Sequence, residues 1–181
     1  MHDYHGIMKS EDVVEILQLL EGHGIEVIVD GGWGVDALLG EQTREHSDLD
    51  IAIQHRHVPE LRRLLGERGY AEIQVPDTRD CNFVLVDARG RRVDVHSFTF
   101  DDKGNNVFGV AYKREHLTGA GRIGGRPVKC VPPDHMVAFH SGYELDENDY
   151  RDVKAICERF GIALPKEYAR FIGGRGSGVS G

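Results

Sequence analysis

Two aspartates separated by one residue, Asp48 and Asp50, open an apolar-rich run at residues 49–53. On a strand, residues two apart share a face, so these carboxylates project together. Side by side they repel, and a core does not reward that. A divalent cation between them would. Ligands that are all oxygen suit Mg²⁺, which takes one or two carboxylates and fills its shell with water and phosphate. Upstream, Gly31 and Gly32 follow the apolar run at residues 25–29 and precede a short amphipathic segment, residues 33–39. Glycine lets a backbone approach a phosphate and aim its N–H groups at it. A helix starting at Trp33 would add a favourable dipole for the anion. Each feature has a plainer meaning. A glycine pair is commonly a turn, and an Asp-x-Asp is commonly an exposed strand edge. Their conjunction in residues 31–53 describes a nucleotide–metal site.

The neighbouring residues leave alternatives open. Arg44 could reach a phosphate or sit in a salt bridge. His46 could bond a phosphate or hold Asp48 in place, and suits Mg²⁺ poorly as a ligand. Asp36 could orient Arg44 or cap locally. Trp33 reads as core rather than as a stacking platform for a base. Further on, residues 92–98 read RVDVHSF, with Val93 and Val95 on one face and Asp94 and His96 on the other. If that strand lies beside Asp48 and Asp50, three carboxylates converge.

The elements that must position these groups follow from periodicity. Ser10 caps a helix whose inner face is Val13, Ile16, Leu17 and Leu20, ended by Gly22 and Gly24. Residues 25–29 form a buried strand. Residues 57–68 form a second amphipathic helix with Val58, Leu61, Leu64 and Leu65 inward. Strands follow at 71–75 and 82–87, and Ala88-Arg89-Gly90 turns the chain into the strand at 92–98. Residues 101–109 read as a polar loop, residues 119–125 as a glycine-dense turn, and residues 126–131 as a short strand stopped by Pro132-Pro133. Helices are expected over 134–145 and 149–160, with a last short one from Pro165 to Ile172. The segment before Ser10 reads as a frayed terminus and residues 173–181 as a disordered tail. The expected division is a catalytic core at 1–131, a helical segment at 132–172 and the tail. The fold class is α+β, a small mixed sheet carrying helices and followed by a helical module.

Composition narrows the class. With 181 residues, 40% hydrophobic and 29% charged, the chain has the make-up of one soluble globular domain. A net charge of -8 argues against a polynucleotide partner, which needs a basic track. Three separated cysteines, Cys81, Cys130 and Cys157, lack zinc spacing and fit a reducing cytoplasm. No signal peptide or membrane-spanning run is read.

The stretches DGGWGVDALLG, REHSDLDI, VDVHSF and FHSGYELDENDYRDVKAI resemble the nucleotidyltransferase superfamily with the polymerase-beta-like fold. Within it they are most similar to small antibiotic-modifying enzymes of the lincosamide nucleotidyltransferase type, from about residue 27 to 156. Aminoglycoside 2''-nucleotidyltransferases carry a similar glycine turn and acidic strand. The resemblance implies transfer of AMP from ATP to a hydroxyl of a lincosamide, with release of pyrophosphate. An aminoglycoside, or a protein such as a toxin partner, is the alternative acceptor. It implies that Asp48, Asp50 and Asp94 hold Mg²⁺, as two ions, with Asp94 also taking the acceptor proton. It implies that Gly31, Gly32, Arg44 and His46 meet the nucleotide. His96, together with His140, Tyr143 and Glu144 on the helix expected there, would line the acceptor side. A homodimer could complete an acceptor pocket.

Overall fold

The computed structural model describes residues 6–172, so the expected tail at 173–181 and the first five residues lie outside the described range. Strands β1 (Ile28–Asp30), β2 (Asp48–Gln54), β3 (Ala71–Ile73), β4 (Asn82–Val86), β5 (Arg92–Phe100), β6 (Asn106–Gly109), β7 (Gly119–Ile123) and β8 (Arg126–Cys130) form one mixed sheet. Its order is β3-β4-β5-β2-β1-β8-β7, with β6 pairing onto β5. The centre is mixed in direction: β2 runs parallel to β5, and β1 is antiparallel to β2 but parallel to β8.

Helices α1 (Ser10–Gly22), α2 (Gly31–Leu39), α3 (Val58–Glu67), α4 (Pro133–Phe139), α5 (Glu147–Phe160) and α6 (Ala169–Ile172) accompany it, with short 3-10 turns at His55–His57, Arg114–Leu117 and Lys166–Tyr168. Strand alternation divides the interior in two. Val29, Leu49, Ile51, Ile53, Val93 and Val95 face one way and pack with Val13, Leu17 and Leu20 of α1 and Leu61 and Leu65 of α3. Ile28, Ala52 and Phe98 face the other way and pack with Met136 and Val137 of α4, Val153 and Ile156 of α5, and Tyr168. The expected inner faces of α1 and α3 are all buried, as periodicity predicts. This is the α+β arrangement expected, a mixed sheet carrying helices with α4–α6 following it in the chain.

Several boundaries differ from expectation. The segment before Ser10 is not frayed over residues 6–9: Met8 is fully buried, and its N–H donates to the carbonyl of His46. The glycine-dense stretch at 119–125 is a strand and a turn, because the Gly124-Gly125 corner lets β7 pair back on β8. Gly121 there has no room for a side chain against Ala37 of α2. The polar loop at 101–109 contains β6, whose backbone pairs with β5 although its side chains are mostly exposed. The helix expected over 134–145 stops at Phe139, where His140 leaves helical geometry and Gly142 turns with φ 78°. A separate helix then begins after the Asp146 cap, whose Oδ1 accepts from the Asp149 N–H.

Candidate active site

The site is built on the sheet face that carries the second core. On β2, Asp48 and Asp50 alternate with buried Leu49 and Ile51, and Ala52 continues their face into the core. On β5, Asp94 and His96 do the same ahead of buried Phe98. The parallel register sets Asp50 opposite Asp94 and Asp48 opposite Arg92. The antiparallel register of β1 on β2 sets Asp30 opposite Asp50. One rung across three strands thus reads Asp30, Asp50, Asp94, all on one face. Sequence reasoning placed Asp48, Asp50 and Asp94 there. It missed Asp30, whose signal was its position two residues after Ile28 on a strand read as ending at residue 29.

Crowding these acids has electrostatic consequences. Burial first, then the charges of Asp50 and Asp48, pushes the Asp94 carboxyl up to about 7. Burial and the Asp50 charge also raise Asp48 and Asp30. His96 Nε2 lies 3.4 Å from Asp50 Oδ1. Burial opposes charge on that ring, but the hydrogen bond and charge of Asp50 prevail and its pKa rises. The Oδ1 atom of Asp94 is buried without a hydrogen-bond partner. Arg92 Nε is 3.8 Å from it, too far for a hydrogen bond, and repelling carboxylates with such an oxygen among them fit Mg²⁺, an oxygen-seeking divalent cation.

Gly31 and Gly32 do not form a turn ahead of the helix; they are its first two residues. The cap is Asp30, whose Oδ1 accepts the Gly31 N–H at 2.8 Å. That amide is therefore occupied by the cap. Both glycines are forced by neighbours. Gly31 has φ 59°, and a Cβ there would fall inside the Asp50 carboxylate. A Cβ on Gly32 would lie 2.5 Å from His46 Nδ1 and 2.7 Å from Arg44 Nη2. The other carboxylate oxygen of Asp30, Oδ2, accepts the Tyr112 hydroxyl at 3.1 Å.

Of the two side chains expected to meet the nucleotide, His46 is placed differently. His46 does not face the cleft. Its side chain is 1% exposed, and Nε2 donates to Asp36 Oδ2 at 2.5 Å, beneath the first turn of α2. Asp36 is 2% exposed and also accepts from the Thr43 N–H and hydroxyl. Its hydrogen bonds go to Thr43 and His46 rather than to Arg44. Arg44 pairs with Asp152 of α5 while its Nη2 stays close to Gly32, so the salt bridge leaves it at the amino end of α2. The acceptor-side residues separate. His96 is at the acids, but His140, Tyr143 and Glu144 lie past the end of α4, not on a helix. His140 Nδ1 donates to the Met136 carbonyl, and Tyr143 donates to Asp149 Oδ1. Both serve the α4–α5 connection, and Glu144 is exposed. Trp33 is 2% exposed and packs on His46, so it is core as expected.

Similarity to known proteins gives the family. The aminoglycoside-2''-adenylyltransferase family model matches residues 12–156. The chain belongs to that family. Its members include nucleotidyltransferases, and this chain is one. A lincosamide resistance protein of Staphylococcus haemolyticus is 32% identical over 158 residues, covering 81% of this chain and 96% of its own length. A 2''-aminoglycoside nucleotidyltransferase of Klebsiella pneumoniae is 26% identical over 64% of this chain and 63% of its own. Among solved structures, lincomycin-bound lincosamide adenylyltransferase LnuA superposes with a TM-score of 0.72 and 27% identity, covering 83% of this chain and 97% of the other. The aminoglycoside-2''-adenylyltransferase fold also appears in ANT(2'')-Ia with adenylyl-2''-tobramycin, at TM-score 0.68 and 18% identity, covering 90% of this chain and 93% of the other. No helix among the described residues is long and apolar enough to cross a membrane.

Proposed function

We propose that this nucleotidyltransferase modifies an antibiotic, transferring AMP from ATP to a hydroxyl of a lincosamide and releasing pyrophosphate. The observation that carries the chemistry is the register of β2 on β5, which sets Asp94 beside Asp50 on the face that also bears Asp48. The lincosamide class rests on the similarity to the lincosamide resistance protein, which this chain matches over nearly that protein's whole length. An aminoglycoside acceptor is the second reading, favoured by the family model.

Asp48, Asp50 and Asp94 would hold Mg²⁺, and two ions fit the pattern of phosphoryl and nucleotidyl transfer. Bound there, Mg²⁺ would neutralise the triphosphate and stabilise charge on the attacking and leaving oxygens. The chain's own residues do the rest. Gly32, at the amino end of α2, offers its backbone to the phosphates. Arg44 adds a positive charge beside it, and His46 with Asp36 supports that turn from below. Asp94 takes the proton of the acceptor hydroxyl, whose oxygen then bonds to the α-phosphorus as the bond to the β-phosphate bridge breaks. His96 orients Asp50. Nothing in the site demands a covalent enzyme intermediate, since placement and charge carry the barrier reduction.

The test is direct. Incubated with ATP and MgCl₂, the protein should convert lincomycin or clindamycin to a product carrying one AMP, with one pyrophosphate released per turnover. Conversion of tobramycin but of no lincosamide would move the assignment to the second reading. Labelling of protein alone, with both antibiotic classes untouched, would overturn both.

A further inference from the structure

A half-buried ion pair links α5 to the amino end of α2. Asp152 lies on α5 among Val153, Ile156 and Cys157, on the side of the helix that faces the core. Its side chain is 4% exposed, an unusual place for an acid unless a partner requires it. The partner is Arg44, distant by 108 residues in the chain. Nε donates to Asp152 Oδ1 at 3.2 Å and Nη2 to Oδ2 at 2.8 Å, a two-bond fork. Nη1 donates to the Glu45 carbonyl at 3.2 Å. Guanidinium has five N–H groups, so two remain beyond these three bonds. Nη2 sits beside Gly32, where even a methyl group would be 2.7 Å away. A pair with one buried partner contributes little net stability, because desolvation offsets attraction. What it does supply is a fixed place for a flexible cation.

We propose that Asp152 is a positioning residue for the nucleotide: it holds the Arg44 guanidinium over Gly32 so that its free N–H groups meet the triphosphate. The proposal rests on the nucleotidyl-transfer reading above and goes beyond it. It makes α5 part of the nucleotide site, so the helical module and the sheet must dock before ATP is bound well. Asp152 touches no reacting atom and acts through Arg44 alone.

A double-mutant cycle on nucleotide affinity tests this. The dissociation constant of Mg·ATP is measured by calorimetry, and KM for ATP and for the acceptor by turnover. Arg44→Ala should weaken Mg·ATP about tenfold or more, the loss of one charge-assisted hydrogen bond. Asp152→Ala should weaken it in the same direction, and the double variant should be no weaker than Arg44→Ala. The acceptor KM should shift less than about twofold, since distant independent sites do not couple. A purely structural latch would lower Tm in Asp152→Ala while leaving affinity for Mg·ATP unmoved, and that result overturns the proposal. So does additivity in the double variant. If Asp152→Ala fails to fold, Asp152→Asn takes its place. It keeps the shape and one acceptor, and it should weaken Mg·ATP at least about twofold but by less than Arg44→Ala does; unmoved affinity overturns the proposal. Wild-type protein that binds no Mg·ATP would sink the nucleotidyl-transfer reading itself, whereas tight wild-type binding with unaffected variants removes only the role of Asp152.

Discussion

Asp50 and Asp94 are direct partners in the parallel pairing of β2 with β5, and both side chains emerge on the face shared with Ala52 and Phe98. The pairing turns two acids 44 positions apart in the chain into neighbours. Replacing Asp50 by Asn keeps the shape and removes the charge. A neutral amide is a much poorer Mg²⁺ ligand, so transition-state charge loses about 3 kcal/mol or more of stabilisation, roughly a hundredfold in turnover. Label transfer from ATP to lincomycin measures it, with circular dichroism to confirm folding. Near-normal turnover by a folded Asp50→Asn protein would reject the ligand role.

Stability should record the same crowding. The Asp94 carboxyl is raised to about 7 by burial and by Asp50 and Asp48, against 3.8 for the ordinary side chain. The native state therefore holds this proton more tightly than the unfolded state does. Stability falls as pH rises from about 4 to about 7 and is then flat with respect to this group. Without metal, at pH 8, Asp94→Asn should be more stable than wild type, with Tm higher by roughly 3–6 °C. The gap should close near pH 4, where both side chains are neutral. Added MgCl₂ should raise the wild-type Tm at pH 8, because a ligand that binds only the folded state stabilises it. Thermal melts in EDTA and in MgCl₂ decide the matter; a wild type no less stable than the variant at pH 8 without metal contradicts the electrostatic account.

Glycine at position 31 has a reason that glycine at position 40 lacks. Both have positive φ, 59° and 78°. A Cβ at Gly31 would fall inside the Asp50 carboxylate, while one at Gly40 meets nothing within 4 Å. Gly40→Ala should therefore cost about 1–2 kcal/mol of stability, the penalty of a left-handed conformation, and leave kcat unchanged. Gly31→Ala pays the same conformational penalty and also displaces Asp50, so kcat should fall about a hundredfold, as even small misplacements of reacting groups do. Equal kcat values for the two variants would remove the link between Gly31 and the metal-binding acid.

Much of this site was legible because strand periodicity is local. The alternation of Asp48, Leu49, Asp50 and Ile51 fixes which side chains share a face, and RVDVHSF repeats it. The turn at Ala88-Arg89-Gly90 fixed β5 against β4. The placement of β5 beside β2 was conditional, since a parallel partner is joined through distant chain. Two other features were not legible for the same reason. The Asp30–Tyr112 bond spans 82 positions and the Arg44–Asp152 pair spans 108. Neither leaves a local pattern beyond an acid in an apolar stripe. The end of α4 was misread because residues 134–145 keep apolar spacing past Phe139, and the Gly142 turn alone did not outweigh it. Gly119-rich β7 was misread because its strand character comes from pairing with β8 and from close packing on α2, not from β-branched residues.

The pair His46–Asp36 gives the last prediction, and it separates support from contact. Both side chains are almost fully buried, and Asp36 also fixes Thr43. His46 lies where Gly32 would carry its Cβ, so it forms the floor under the first turn of α2. His46→Ala leaves Asp36 buried with one partner missing and opens a void under that turn. Breaking a buried pair in this way costs about 3–5 kcal/mol. For a chain of this size that corresponds to a Tm lower by roughly 6–20 °C. The turn that carries Gly32 should then sag, and KM for ATP should rise more than kcat falls. Asp36→Asn should be milder than His46→Ala, because an amide oxygen still accepts from His46 Nε2. A direct phosphate contact by His46 would give the opposite pattern: unchanged Tm, weakened ATP binding, and no effect of Asp36→Asn. Thermal melts alongside ATP titrations of the two variants distinguish these outcomes.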